Sequence, residues 1–274
     1  MNNLDLTYLF GLAPEQAIEY FRSKGYQITF DWHEMLDSAH AQAFTVAKAM
    51  KLDVLQAIKD SLDNALEKGE TFNTWQKQLT PELQKLGWWG KQEILNEATG
   101  ELRMAQLGSP YRLRTIYEAN LQSAYSAGRW QSQFENRAAR PYLMLVAVMD
   151  SKTRPAHRAY NGLIARIDDP IWRYLYPPNG WRCRCRVRAL TGDQAITMVK
   201  NGEGVWVKQE MLSFNDVEIP GSGGETGRVA VYRGTDTFGK SYSVSPDLGW
   251  SSNPGMDKWQ PQLDKYDPAI RSLW

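Results

Sequence analysis

Apolar residues recur at every fourth position in two long stretches of the chain. Val54, Ile58, Leu62 and Leu66 form one stripe; Leu113, Tyr117, Leu121 and Tyr125, continued by Trp130 and Phe134, form the other. Side chains four apart share one helical face, so each stripe predicts a helix with a buried side. Punctuation residues set the boundaries. Pro14 inside the start and Gly25 past the end frame a helix over 14–24. Asp31 and Glu34 have the spacing of a capping box ahead of the first long stripe, and Gly69 closes it. Thr71 opens a further helix through Leu79 or Leu86, with Pro81 marking a new start after Thr80. Ser109 and Pro110 supply a cap and a first-turn proline for a long helix over 109–139, which Pro141 breaks.

Beyond Pro141 the period changes. Tyr142–Met149 is a continuous apolar run of strand length, and Leu163–Ile167 reads as a strand entered through the turn pair Asn161-Gly162. Asp169-Pro170 begins a short helical or turn segment, and Pro177-Pro178-Asn179-Gly180 is a rigid turn. Thr191 and Gln194 frame a capped helix to about Lys200. From Gly202 the chain is rich in Gly, Ser and Pro, with GSGG at 221–224 as a linker. It still carries Trp206, Trp250, Trp259 and Trp274, which suits a tail that wraps along a surface. The pair Trp88-Trp89 is expected to be buried, as large aromatics mostly are. The expected fold is α+β: an N-terminal helical region and a long central helix packed on a small mixed β-sheet, with an extended C-terminal tail. The sheet is built from 142–149, 163–167 and 183–190. Three regions follow: helical over 1–107, a core domain over 108–201, and the extended region over 202–274.

Composition narrows the class. With 42% hydrophobic and 23% charged residues the chain has the balance of a soluble globular protein. No apolar run approaches the roughly 20 residues of a membrane-spanning helix. The opening residues MNNLDLTYLFGLAPEQ lack the basic and apolar segments of a secretory leader, so a cytoplasmic setting is expected. The net charge of +1 conceals an uneven distribution. Residues 1–107 hold 10 Lys/Arg against 15 Asp/Glu, whereas residues 150–190 hold nine against three, eight of the nine being arginine. A basic surface of that kind meets phosphate or an acidic protein, or is simply solvated and balanced by the acidic third.

The segment Trp181-Arg182-Cys183-Arg184-Cys185-Arg186-Val187-Arg188-Ala189-Leu190 alternates without interruption. In a strand, Arg182, Arg184, Arg186 and Arg188 line one face, while Trp181, Cys183, Cys185, Val187 and Ala189 line the other. Four guanidinium groups on one face require water or a polyanion, which makes these arginines the candidate surface for DNA or a protein partner. Cys183 and Cys185, the only cysteines, bridge poorly at i and i+2 of a strand. Two readings of them stay open. Either His157, Cys183 and Cys185 are three ligands of a structural zinc, with a fourth from Asp150, Asp168, another side chain or water, or the cysteines are small buried residues. His33 and His40 lie in the acidic third as surface or partly packed residues. No nucleophile elbow, HExxH motif or Gly-rich phosphate loop is present, and a Cys–His dyad in mid-strand has no visible orienting partner, so no catalytic residue is assigned.

Thr153-Arg154-Pro155-x-His157, Asn161-Gly162, Pro177-Pro178-Asn179-Gly180-Trp181 and Cys183-Arg184-Cys185 together resemble the signature of the Mu F-type phage head morphogenesis proteins. The stretch Pro14–Gly25 to Asp31-Trp32, the run Phe44–Lys48, Gly87-Trp88-Trp89-Gly90 and Gly249-Trp250 to Asn253-Pro254-Gly255 are similar to the same branch. That resemblance implies a minor capsid protein, not an enzyme, built in few copies into the procapsid of a tailed phage or prophage. It implies residence in the head interior or at the portal vertex after assembly in the host cytoplasm. Its partners would be the portal protein, the major capsid or scaffolding protein, and double-stranded DNA during packaging or ejection. The competing class is a zinc- or thiol-dependent enzyme, nuclease or toxin-like, delivered with the genome.

Overall fold

The computed structural model describes residues 14–96, 100–207, 211–220, 222–235 and 241–257. The opening segment, Gly221 of the linker, Trp259 and Trp274 lie outside the described residues. An N-terminal layer is formed by α1 (Pro14–Arg22), a one-turn α2 (Ala39–Gln42), α3 (Leu52–Lys68), α4 (Phe72–Lys85) and α5 (Pro110–Glu135). A two-residue parallel pair, β1 (Gly25–Tyr26) with β2 (Ala43–Phe44), ties the segment between α1 and α3. Both apolar stripes are buried. Val54, Ile58, Leu62 and Leu66 on α3 meet Leu113, Tyr117, Leu121 and Tyr125 on α5 in one core, with Trp75 of α4 between them. Trp88 is also in that core, and its indole N–H donates to the Lys48 carbonyl at 2.9 Å.

The caps act where the residue types indicate, with two differences. Thr71 and Ser109 accept from the backbone N–H of Thr74 (3.4 Å) and Arg112 (3.3 Å), and Gly69 closes α3. Glu34 does reach back to the N–H of Asp31 at 2.7 Å, but the turn it caps is a single 3-10 turn, Trp32–Glu34, and α3 starts only at Leu52. Pro81 does not restart a helix either: α4 runs through it without a break. On α5, Phe134 at the end of the stripe is 43% exposed and stacks on Trp130 with 6.1 Å between ring centroids, under the Arg137 guanidinium.

A hairpin that the residue pattern did not announce, β3 (Lys91–Asn96) with β4 (Glu101–Gln106), projects from this layer. Leu95 faces Leu102 across it, and Leu95, Leu102 and Met104 are all exposed.

The second layer is a four-stranded mixed sheet in the order β7 (Arg186–Leu190), β5 (Tyr142–Val146), β6 (Leu163–Arg166), β8 (Val205–Trp206). β5 pairs antiparallel with both neighbours, and β6 with β8 is parallel. The register puts Leu143 beside Ala165 and Ala189, and Leu145 beside Val187, on the face toward α5. Met144 and Ile164 point the other way, against Ala195 of α8 (Gly192–Lys200). A strand covered on both faces explains why 142–146 is continuously apolar and does not alternate. The connection from β5 to β6 carries α6 (Pro155–Arg158), so Asn161-Gly162 is not a two-residue hairpin turn. Asn161 instead accepts the Ala147 N–H at 3.1 Å, and Gly162 donates to Leu145 at 2.9 Å. A short α7 (Trp172–Leu175) follows β6.

The C-terminal region, expected to be extended, folds in its described part into a third sheet of β11 (Ser241–Val244), β10 (Thr226–Thr235) and β9 (Leu212–Glu218). Tyr232 and Val244 enter the core between the mixed sheet and α5. The overall class is the α+β one expected from the sequence.

Gly128 of α5 lies against the backbone of α1. A Cβ there would lie 3.2 Å from both the Ala17 nitrogen and the Gln16 Cβ. Gly128→Val is therefore expected to lower unfolding free energy by about 1–3 kcal/mol through overpacking, read from urea denaturation of the full chain. An unchanged midpoint would show that α1 does not rest on α5 in solution.

Candidate metal centre

The 153–185 motif residues close into one knot beneath the mixed sheet. Pro155 starts α6, and His157 on that helix is 3% exposed. Cys183 and Cys185 arrive from the opposite side, after the Pro177-Pro178 cis peptide and the Asn179-Gly180 turn, and are 3% and 6% exposed. The three ligand atoms lie within 4.8 Å of one another, and Cys185 Sγ is 3.6 Å from His157 Nδ1.

The surrounding contacts account for the other motif residues. Arg154 reaches Asp247 at 2.5 Å and the Trp181 carbonyl at 3.2 Å. Gly180, at φ 155°, sits against this pair, and a side chain there would collide with both the Asp247 carboxylate and the Arg154 guanidinium. Asn179 donates its side-chain amide to Leu175 and accepts the Asp247 N–H at 3.0 Å through its backbone carbonyl. Gln122, on α5, donates to the Cys183 carbonyl.

The two thiols titrate unequally. Burial alone pushes Cys183 up, but hydrogen bonds from Cys185 and His157, the charge of His157 and the Asn179 backbone N–H hold it well below the ordinary thiol range. Cys185 is pushed upward, first by its hydrogen bond to Cys183 and then by burial. The pair therefore gives up its first proton readily and resists losing the second. Among the described residues three buried polar atoms beside this cluster have no hydrogen-bond partner: His157 Nε2, the Tyr160 hydroxyl and Asn179 Oδ1. The Tyr160 ring meets His157 edge-on at 5.4 Å.

Neither carboxylate proposed as a fourth ligand joins the cluster. Asp150 is held by Arg184 in a two-point pair, at 2.6 and 2.7 Å, with Thr153 bridging at 3.0 Å. Asp168 pairs with Arg166 in solvent.

The four-arginine strand face also needs correcting. β7 begins only at Arg186, because Arg182 occupies the left-handed region at φ 57° and Cys183 N–H turns back to Gly180 at 3.1 Å. Trp181 is therefore not inward: it is 41% exposed and packs edge-on against Trp250. Cys183, Cys185 and Val187 do face the core as expected, with Ala189 packed against it. The arginines divide into two pairs. Arg182 lies 3.4 Å from Glu118 and over the Tyr111 ring, and Arg184 is neutralised by Asp150. Arg186 and Arg188 are exposed on an edge strand, and among the described residues no ion pair engages them. Charges at such a position also discourage edge-to-edge pairing with another sheet. The Arg184–Asp150 contact spans 34 residues and carries no local sequence signal; only the arginine count hinted at it.

What the fold and site define is an α+β domain with a buried Cys-x-Cys/His cluster and a half-neutralised arginine segment. Comparison with known proteins is specific. The model of the family described as "Phage Mu protein F like protein" matches residues 56–188. A protein of Escherichia phage Mu named "Putative capsid assembly protein F" is 43% identical over 252 residues, 92% of this chain and 56% of that protein. The Mu-like prophage FluMu F protein of Haemophilus influenzae is 51% identical over 164 residues, 60% of this chain and 38% of that protein. No solved structure matches. The chain is thus similar to Mu F-type proteins over most of its length. It spans little more than half the length of the phage Mu relative and under two fifths of the prophage one.

The Asp150 carboxyl is held well below the usual carboxylate range, chiefly by the Arg184 hydrogen bonds. A depressed folded-state pKa contributes stability that is present above the unfolded-state value, about 3.9, and lost as pH falls below it. Arg184→Gln should therefore melt below wild type at pH 7, with the gap closing below about pH 4. A gap of constant size from pH 7 to pH 3 would assign the loss to packing and not to the ion pair.

Proposed function

We propose that this chain is a minor head-assembly protein of a Mu-like phage or prophage, acting at the portal vertex and contacting packaged DNA through the β7 edge. The observation that carries the reading is alignment over nearly the whole chain with a phage Mu protein named for capsid assembly. The surfaces suit two kinds of partner. Leu95, Leu102 and Met104 on the β3–β4 arm offer apolar contact to a protein of the head shell, here the portal. Arg186 and Arg188 offer a polyanion two guanidinium groups that no carboxylate among the described residues neutralises. Ion pairing of that kind releases counterions and reads no base sequence. The setting is the head of a virion, reached from the host cytoplasm during assembly. No helix among the described residues is long and apolar enough to cross a membrane.

A thiol-dependent enzyme finds less support. His157 and both thiols are at most 6% exposed, which leaves a substrate no approach to a nucleophile.

Co-expression with the portal protein of the same phage or prophage tests the reading. Wild type should co-purify with the portal; Leu102→Asp with Met104→Asp should abolish that association at unchanged melting temperature. Arg186→Gln with Arg188→Gln should reduce the slope of log DNA affinity against log salt by about 2. Absence of portal association in wild type, with no salt-dependent DNA binding, would overturn the proposal.

A further inference from the structure

His157, Cys183 and Cys185 form a group whose geometry has a chemical reading independent of head assembly. Zinc binds thiolate at about 2.3 Å and imidazole at about 2.0–2.1 Å, and tetrahedral angles then separate a sulfur from a nitrogen ligand by about 3.6 Å. Cys185 Sγ and His157 Nδ1 are 3.6 Å apart, and Cys183 Sγ completes a triangle within 4.8 Å. His157 comes from α6 and the two cysteines from the irregular segment just ahead of β7, so the triangle is not a by-product of one regular element. We propose that this cluster is a structural zinc site that takes His157, Cys183 and Cys185 as ligands.

The environment supplies a second observation. The Tyr160 hydroxyl and Asn179 Oδ1 are buried, belong to fully buried residues, and have no hydrogen-bond partner among the described residues. Unsatisfied buried polar atoms are costly and rare, so a polar group from outside the chain is expected near them. His157 Nε2 is likewise unpartnered, which leaves Nδ1 as the ring atom facing the sulfurs. The Asn179 backbone N–H directed at the Cys183 sulfur is the kind of outer contact that orients a thiolate ligand. On binding, zinc replaces the thiol protons of both cysteines, which pass to solvent.

Such a site pins α6 to the 179–185 turn. Gln122 already fastens the latter to α5, so the metal would join the β5–β6 connection, the turn and the central helix at one point. No carboxylate belongs to the triangle, a donor set that favours zinc over magnesium or calcium.

The full chain, purified under reducing conditions from zinc-supplemented cells, should carry one zinc per chain by elemental analysis. Cobalt(II) exchanged into it should give thiolate-to-cobalt absorption. Cys183→Ser, Cys185→Ser and His157→Gln should each lower retained metal at least tenfold. Since any of these variants can misfold, wild type treated with a strong chelator is the second arm. Its melting temperature should fall and return on adding one equivalent of zinc, but not magnesium. A folded, metal-free wild type without cobalt–thiolate absorption would reduce the cluster to a thiol–imidazole hydrogen bond and overturn the proposal. Zinc retained equally in all three variants would place the metal elsewhere and overturn it as well.

Discussion

Helix α5 is the wall that two cores share. Its 26 residues span about 39 Å at 1.5 Å per residue, enough to pass beneath both layers. Leu113, Tyr117, Leu121 and Ala124 close the helical core, and Trp130 closes the sheet core. Two glutamines on this helix make the join specific. Gln122 donates to the Cys183 carbonyl, and Gln133 donates to the Val187 carbonyl at 3.0 Å while accepting the Tyr176 hydroxyl at 3.0 Å. Edge strands and the irregular turns leading into them carry main-chain carbonyls that no neighbouring strand satisfies. Here the central helix supplies the missing donors, and in doing so sets where the Cys-x-Cys segment lies.

That placement explains the behaviour of the arginine-rich segment. With Cys183 and Cys185 held inward, the intervening Arg184 emerges against Asp150 and Thr153 and is consumed as a structural ion pair. Arg182, displaced by its left-handed backbone, turns toward α5 and pairs with Glu118. Only after β7 begins does regular alternation return, and only there do arginines stand free toward solvent. A segment of uniform appearance in sequence thus carries three structural roles, and among the described residues only Arg186 and Arg188 of its four arginines have no ion-pair partner.

The helical half was legible because its signals are local. The α3 and α5 stripes, the Ser109 and Thr71 caps and the Thr191–Gln194 capping box each depend on residues within one or two turns. The doubly covered β5 was legible for the same reason, as an unbroken apolar run. What escaped depends on distant partners. The β3–β4 hairpin is exposed on most positions of both strands and so lacks an inward/outward period. In the sheet over 212–244 the buried run Val229–Tyr232 is short and set between arginines and glycines, and its tie to the mixed-sheet core through Tyr232 and Val244 is a distant contact. Of the site, the grouping of His157 with both cysteines followed from residue types, whereas the capture of Arg184 by Asp150 and the left-handed turn at Arg182 did not. The Asp31–Glu34 pair shows the converse failure: its hydrogen bond forms as the spacing indicates, yet the helix it seemed to announce starts 20 residues later.

If α5 is the shared wall, the two cores cannot lose structure independently. Hydrogen exchange of the full chain across a urea series, read by mass spectrometry, tests this directly. Amides in α5 from Tyr117 to Trp130, in α3 and in β5 should belong to one most-protected set and lose protection along a common urea dependence. Loss of protection in β5 and β7 at urea concentrations that leave α3 and the first half of α5 intact would contradict the account.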